Sequence, residues 1–406
     1  MRSSLIIQVL HSGLVFNSFS LFSAALKSEY GWTNSQLGLA FSLNRAESGL
    51  LGPLQGWMTD TWGPRVVLRI GAVIMAVGLW LFSMTDSLAD LYVFYLLVAL
   101  GSSLAGFLSI TVCIVNWFER ERSRALALGQ LGFAVGGVLA AGVGFSIDRL
   151  GWRPTLRIAA VATLLVILPL SRHFDRRPSE VGEFVDGIDP DAEGREDLRG
   201  GGALTAVAAR PHFTAAEAMR TRAFWFISIG HASALLVVGA AMAHLAVYLD
   251  EELHMSSAHR ALVVGALPAM MGVGQLIGGA LGDQYDKRLL TAGAMVGHGA
   301  GLVTLALADG PVLVWTFVLL HGLAWGVRGP LQQAMRADYF GSTDFGKIMG
   351  FSSLVIMTGM IFGPIVAGAI ADATGSFTIG FLCLAGAATL GAGWFYFATP
   401  PTPPAR

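Results

Sequence analysis

Four side chains between positions 321 and 332 carry the clearest chemistry in the sequence. His321, Trp325, Arg328 and Gln332 follow at steps of four, three and four, so on a helix they share one face. A planar guanidinium there can grip a carboxylate through two parallel hydrogen bonds, with His321 two turns away as a second ligand. Gly326, Gly329 and Pro330 surround the arginine, freeing backbone groups and letting another helix approach. The alternative for Arg328 is a structural role, held by interhelical hydrogen bonds alone.

A second set of ionisable residues lies in other apolar runs, where charge is costly and by default functional. Arg45 and Glu47 stand two apart, so they point to different faces of a helix and do not simply pair. Arg45 shares its face with Gly49, Gly52 and Gly56, a seam for close packing. Glu47 is either a carrier of a coupled proton or half of a structural ion pair. His11, on a polar stripe with Gln8 and Ser18, and His244, one turn before Tyr248, are candidate ligands for substrate or proton. His231 and His298 also fall within apolar runs and read more readily as hydrogen-bonding residues. No pair has metal-ligand spacing, so neither a metal nor a cofactor is expected.

The elements that must hold these groups follow from composition. Of 406 residues, 54% are hydrophobic and 13% charged, about half the charged share of a soluble domain. This balance, with a net charge of −1, excludes a soluble enzyme, a disordered chain and a nucleic-acid binder. Runs long enough to cross a bilayer fall near 5–26, 35–58, 66–86, 91–114, 124–148, 154–173, 222–249, 258–283, 289–308, 312–336, 346–372 and 377–398. They predict an all-α polytopic membrane protein of twelve spans. With the termini inside, the outer loops hold only Lys27, Arg149, Arg153, Arg157 and Arg260 of the 26 basic residues. Both termini are therefore expected in the cytoplasm, with the chain in a cell (inner) membrane.

Residues 174–221 are polar, and near their end Thr214 and Glu217 form a capping box. They read as a flexible cytoplasmic linker closing in a short interfacial helix, dividing the chain into six-helix bundles 1–173 and 222–406. A short pattern recurs at four span ends: Gly56–Asp60–Gly63, Gly144–Asp148–Gly151, Gly368–Asp372–Gly375, and Gly279–Asp283 with Asp286 in place of the last glycine. Asp60 and Asp283 fall on the cytoplasmic side, Asp148 and Asp372 on the outer side. Each half is thus two three-span units of opposite orientation, as in rocking transporters. An aspartate at a helix C-terminus opposes its own dipole and needs a partner. Candidates are a following arginine, Arg65 or Arg288, or the N-terminus of a neighbouring helix. Such a contact is either a gate latch or a static staple.

The run Gly56-Trp57-Met58-Thr59-Asp60-Thr61-Trp62-Gly63-Pro64-Arg65 resembles the signature loop between spans 2 and 3 of the major facilitator superfamily. A second run, Trp117-Phe118-Glu119-Arg120-Glu121-Arg122 leading to Ala125 and Gly129, resembles the entry to span 5 in its monocarboxylate-transporter and oxalate/formate-antiporter branches. Asp338-Tyr339-Phe340-Gly341 is its echo in the second half. The resemblance implies a secondary carrier of small organic anions, proton-coupled or exchanging, with spans 1, 7 and 10 lining a cavity. Classical monocarboxylate carriers place an Asp/Arg pair on span 8. Here that span has no charge between 261 and 282, and Gln275 is its main polar group.

The expected function is alternating-access transport of a small carboxylate by a monomer in a lipid bilayer. Arg328, His321, Gln332, Arg45, His11 and His244 are the candidate binding residues, and Glu47 is the candidate for proton coupling. Asp60, Arg65, Asp283, Asp148 and Asp372 are the candidate gate residues. An exporter of drug-like or amphiphilic compounds and a non-transporting sensor are the alternatives. An integral-membrane enzyme is disfavoured because no catalytic constellation is present.

Overall fold

Backbone groups in a bilayer have no water to bond with, so each apolar run must satisfy them internally as helix. In a computed structural model, which describes residues 1–189 and 212–404, every long element is a helix and no strand occurs among those residues. The spans are 1, Arg2–Tyr30; 2, Asn34–Leu50 with Gly52–Trp62; 3, Pro64–Phe82; 4, Leu88–Leu104 with Phe107–Trp117; 5, Arg122–Leu150; and 6, Trp152–Leu170. The second half holds 7, Arg222–Glu251; 8, Ser257–Gly282; 9, Lys287–Ala306; 10, Pro311–Phe340; 11, Phe345–Thr374; and 12, Phe377–Phe397. Their outward faces are apolar, with Val138, Val312 and Leu390 at least 76% exposed, as lipid contact requires.

Eleven of these are long and apolar enough to cross a membrane, and span 2 is the exception. It divides at Leu51 because Pro53 follows, and proline has no N–H to donate. The carbonyl it leaves at Gly49 receives the Ser353 hydroxyl of span 11 at 3.4 Å. Span 1 carries a π-helical turn, Ser12–Phe16, directly after His11, a local widening common at functional sites. Span 10 runs to Phe340, beyond the end at 336 predicted from hydropathy alone. Buried apolar side chains form two clusters. One is drawn from residues 7–174 with Ala334, Ala337, Phe345 and Met349, the other from residues 213–398.

The repeated pattern has a simple backbone cause. Gly63 and Gly151 turn the chain at φ +81° and +86°, where a side chain would be strained. In the fourth copy Asp286 instead accepts from Arg288 N at 2.8 Å and caps span 9. The predicted capping box is present: Thr214 N donates to Glu217 Oε2 at 2.7 Å, opening the helix Ala215–Met219. The middle of the expected flexible linker, residues 190–211, lies outside the described residues.

Candidate functional site

A cavity of about 330 Å³ lies between the two halves. Spans 1, 2, 4 and 5 supply one wall and spans 7, 8, 10 and 11 the other. Arg45 and Arg328 both line it, from opposite halves, together with His11 and His231. Among the described residues no carboxylate lines it, so the wall carries net positive charge.

Arg328 is 1% exposed. Its Nε donates to His298 Nε2 at 3.0 Å and its Nη1 to Gln332 Oε1 at 3.3 Å, while its buried Nη2 has no partner. A guanidinium only donates, so His298 Nε2 accepts and its proton sits on Nδ1. His321 Nδ1, 3.1 Å away, accepts that proton, leaving its own on a buried Nε2 without a partner. All of Arg328's described partners are neutral. A buried cation in this condition carries a desolvation cost that an incoming anion would offset.

Arg45 lies 4.6 Å from the centroid of the Phe16 ring, a cation–π contact at the π-helical turn. His11 bonds through Nε2 to the Ser102 hydroxyl, and its buried Nδ1 has no partner. Glu47 stands one side chain behind the cavity wall. Its carboxylate accepts from Ser103 at 2.7 Å, Ser48 at 3.2 Å and Gln55 at 3.3 Å. All three donors line the cavity themselves.

Other expected site residues are not brought to the cavity. His321 and Gln332 share the Arg328 face but lie behind it, bonded to His298 and to the guanidinium. His244 bonds to the Pro364 carbonyl at 2.9 Å and packs 4.9 Å from the Phe377 ring, away from the site. Three residues enter that the candidate set lacks. His298, from span 9, is the direct partner of Arg328. His231 lines the cavity and stands 3.4 Å from Arg336. Arg336 is 1% exposed and donates to Gln332 O, Gln333 and Ser352. Its two-turn spacing from Arg328 was the available signal, masked by the early end assigned to span 10.

The two halves are joined at the end of the bundle that bears the linker. Asp60 accepts from the backbone N–H of Gly346 (2.9 Å) and Lys347 (2.8 Å), at the first turn of span 11. Asp283 accepts from Ser123 (2.8 Å) and Arg124 (3.1 Å), at the first turn of span 5. Each aspartate therefore meets the positive end of a helix from the other half. Glycine makes the approach possible, since a Cβ on Gly56 would stand 2.0 Å from Gly346 O. Arg122 adds an ion pair to Asp338, joining the two motif echoes across the halves.

The following arginines are not the aspartates' partners. Arg65 pairs with Asp175 at the start of the linker at 3.0 Å, and Arg288 pairs with Asp286 in its own half at 2.8 Å. At the far end Asp148 and Asp372 are exposed and have no described partner. The described polar contacts there include Arg153 with Glu29 and Asp86, and Glu252 with Ser376, each within one half.

The sequence pattern of the Major Facilitator Superfamily matches residues 5–332 and 227–406. The chain belongs to this superfamily. It is a membrane transporter and not an enzyme. Among its relatives, human monocarboxylate transporter 11 is 28% identical, over 89% of this chain and 73% of that protein. The oxalate:formate antiporter of Oxalobacter formigenes is 23% identical, over 87% of this chain and 80% of that one. The solved proton:xylose symporter XylE superposes with a TM-score of 0.73 at 16% identity, covering 98% and 96% of the two chains. That likeness speaks for the facilitator fold.

Proposed function

We propose that this protein is a secondary active transporter of a small organic anion, working by alternating access with Arg328 as the anion anchor. The reading rests chiefly on one observation: a buried arginine on the cavity wall with neutral partners and a free Nη2. The names of the relatives, a monocarboxylate transporter and an oxalate:formate antiporter, agree with an anionic cargo. Arg45 faces the cavity from the other half, so an anion between them would contact both moving bodies.

In this reading the bundles 1–173 and 222–406 rock about the cavity. The basic-residue asymmetry puts the linker end in the cytoplasm, so closed contacts at Asp60 and Asp283 correspond to an outward-facing state. Opening to the cytoplasm breaks them and brings Asp148 and Asp372 to partners. Glu47, held by three side-chain donors beside Arg45, is the candidate for proton coupling. Its involvement and the monomeric state belong to this proposal.

The test is uptake by proteoliposomes across a panel of carboxylates, with and without a pH gradient. Saturable uptake of at least one carboxylate supports the reading. Transport restricted to neutral or cationic compounds would overturn it.

A further inference from the structure

The cavity holds more unsatisfied polarity than one carboxylate can use. Gln8, Gln130 and Gln275 line it, from spans 1, 5 and 8, and are 1%, 8% and 4% exposed. None of their side-chain amides hydrogen-bonds to the described residues, and Gln8 Oε1, Gln130 Nε2 and Gln275 Oε1 are fully buried without a partner. Gln130 and Gln275 both reach span 10 close to Arg328. A Cβ on Gly329 would stand 2.9 Å from Gln130 Oε1, and one on Gly326 2.6 Å from the backbone nitrogen of Gln275. Gln8 packs against Gly132, half a turn along span 5 from Gln130.

Two physical arguments bear on what fills this space. The first is satisfaction. A polar group left unpaired on burial costs ~1–3 kcal/mol, so a bare hydrocarbon chain that covers the amide atoms still open to the cavity loses bonds it cannot replace. An amide offers a donor at one end and an acceptor at the other, and a hydroxyl does both, so hydroxyl groups match these amides in either orientation. The second is room. At ~30 Å³ per water the 330 Å³ cavity holds on the order of ten waters, far more than formate or oxalate would fill. Trp325 and Phe133, also on the wall, provide flat apolar faces for the C–H surface of such a chain.

We propose that the preferred cargo is a polyhydroxylated carboxylate of about ten non-hydrogen atoms, its carboxylate on Arg328 and its hydroxyls on Gln8, Gln130 and Gln275. This inference rests on the anion reading and narrows it.

The experiment is calorimetric titration of the purified full chain with three six-carbon probes. Gluconate has a carboxylate and hydroxyls, hexanoate a carboxylate alone, and sorbitol hydroxyls alone. Gluconate is expected to bind at least tenfold more tightly than either of the others. Gln275→Leu and, independently, Gln130→Leu should each shrink the gluconate-to-hexanoate ratio at least threefold. Equal affinity for gluconate and hexanoate, or an unchanged ratio in a folded glutamine variant, would overturn the hydroxyl assignment and leave the anion reading standing. Binding of neither carboxylate would overturn the polyhydroxylated cargo and leave the anion reading to the uptake panel, and sorbitol bound as tightly as gluconate would overturn the carboxylate's seat on Arg328.

Discussion

Asp60 and Lys347 lie at opposite ends of the sequence, yet the Asp60 carboxylate accepts the Lys347 backbone N–H at 2.8 Å. The aspartate ends span 2 and the amide opens span 11, so a carboxylate disfavoured at the C-terminus of its own helix is set against the positive end of a helix from the other half. Asp283 repeats the arrangement on span 5. Asp60→Ala removes two charge-assisted hydrogen bonds, each of the class worth ~1.5–3 kcal/mol. The variant should shift the protein towards the state open at the linker end, by fivefold or more in population. Accessibility of a thiol placed in the cavity by Ser103→Cys, probed from each side in vesicles, measures this. Unchanged accessibility would remove the latch role.

The unpartnered aspartates at the far end complete the symmetry. Span 2 caps span 11 and span 8 caps span 5, so the inverted repeat predicts that Asp148 caps span 8 and Asp372 caps span 2 in the opposite state. Asp148→Ala and Asp372→Ala should therefore favour the state described above, opposite in sign to Asp60→Ala. The same thiol assay reads the sign directly, and a shift in the Asp60→Ala direction refutes the exchange.

His298 holds the Nε edge of Arg328, whose Nη2 has no partner among the described residues. It acts through the arginine, as a positioning residue. His298→Leu should weaken anion binding about tenfold, the cost of one charge-assisted bond. His298→Gln, which keeps an acceptor, should recover most of that loss. Equal loss in both variants would point to packing alone.

Asp286 replaces the glycine of the other repeats and caps span 9. Hydrogen bonds from Arg288, chiefly its side chain, hold this carboxyl below the usual aspartate range. A depressed native value means stabilisation that is present above the unfolded value and lost as pH falls through the native one. The cap should thus persist at pH 4 and fade only under stronger acid. Asp286→Gly should lower the melting temperature at pH 7, with the deficit shrinking at pH 3.

The spans, the repeats and the buried Arg328 were legible because each is written in hydropathy or in i, i+4 spacing. Arg328 stands out as a charge in an apolar run, and its glycines announce a close neighbour. Gln8 and Gln275 show in the sequence as polar residues in apolar runs, but their meeting with Gln130 does not, because the three come from spans that only the fold assembles. His298 was visible as a residue but not as a partner, since span 9 lies outside the cavity and reaches it through Arg328. The partners of Asp60 and Asp283 were harder still. Asp60 bonds to backbone N–H groups, which every residue but proline carries, so the sequence of span 11 gives no sign of them. Pro53 splits span 2 where Gly49 meets Ser353, a contact that no local pattern encodes.

The central claim is that the cargo is an anion held by Arg328. The most direct measurement is the equilibrium affinity of wild type, Arg328→Lys and Arg328→Gln for a carboxylate that the wild type transports, with folding of each variant checked by its melting curve. Loss of a buried charged partner costs ~2 kcal/mol or more, about 30-fold in affinity. Arg328→Gln should lose at least that much, and Arg328→Lys should fall between, keeping the charge without the planar fork. A folded Arg328→Gln protein that binds the same carboxylate within twofold of wild type would contradict the account.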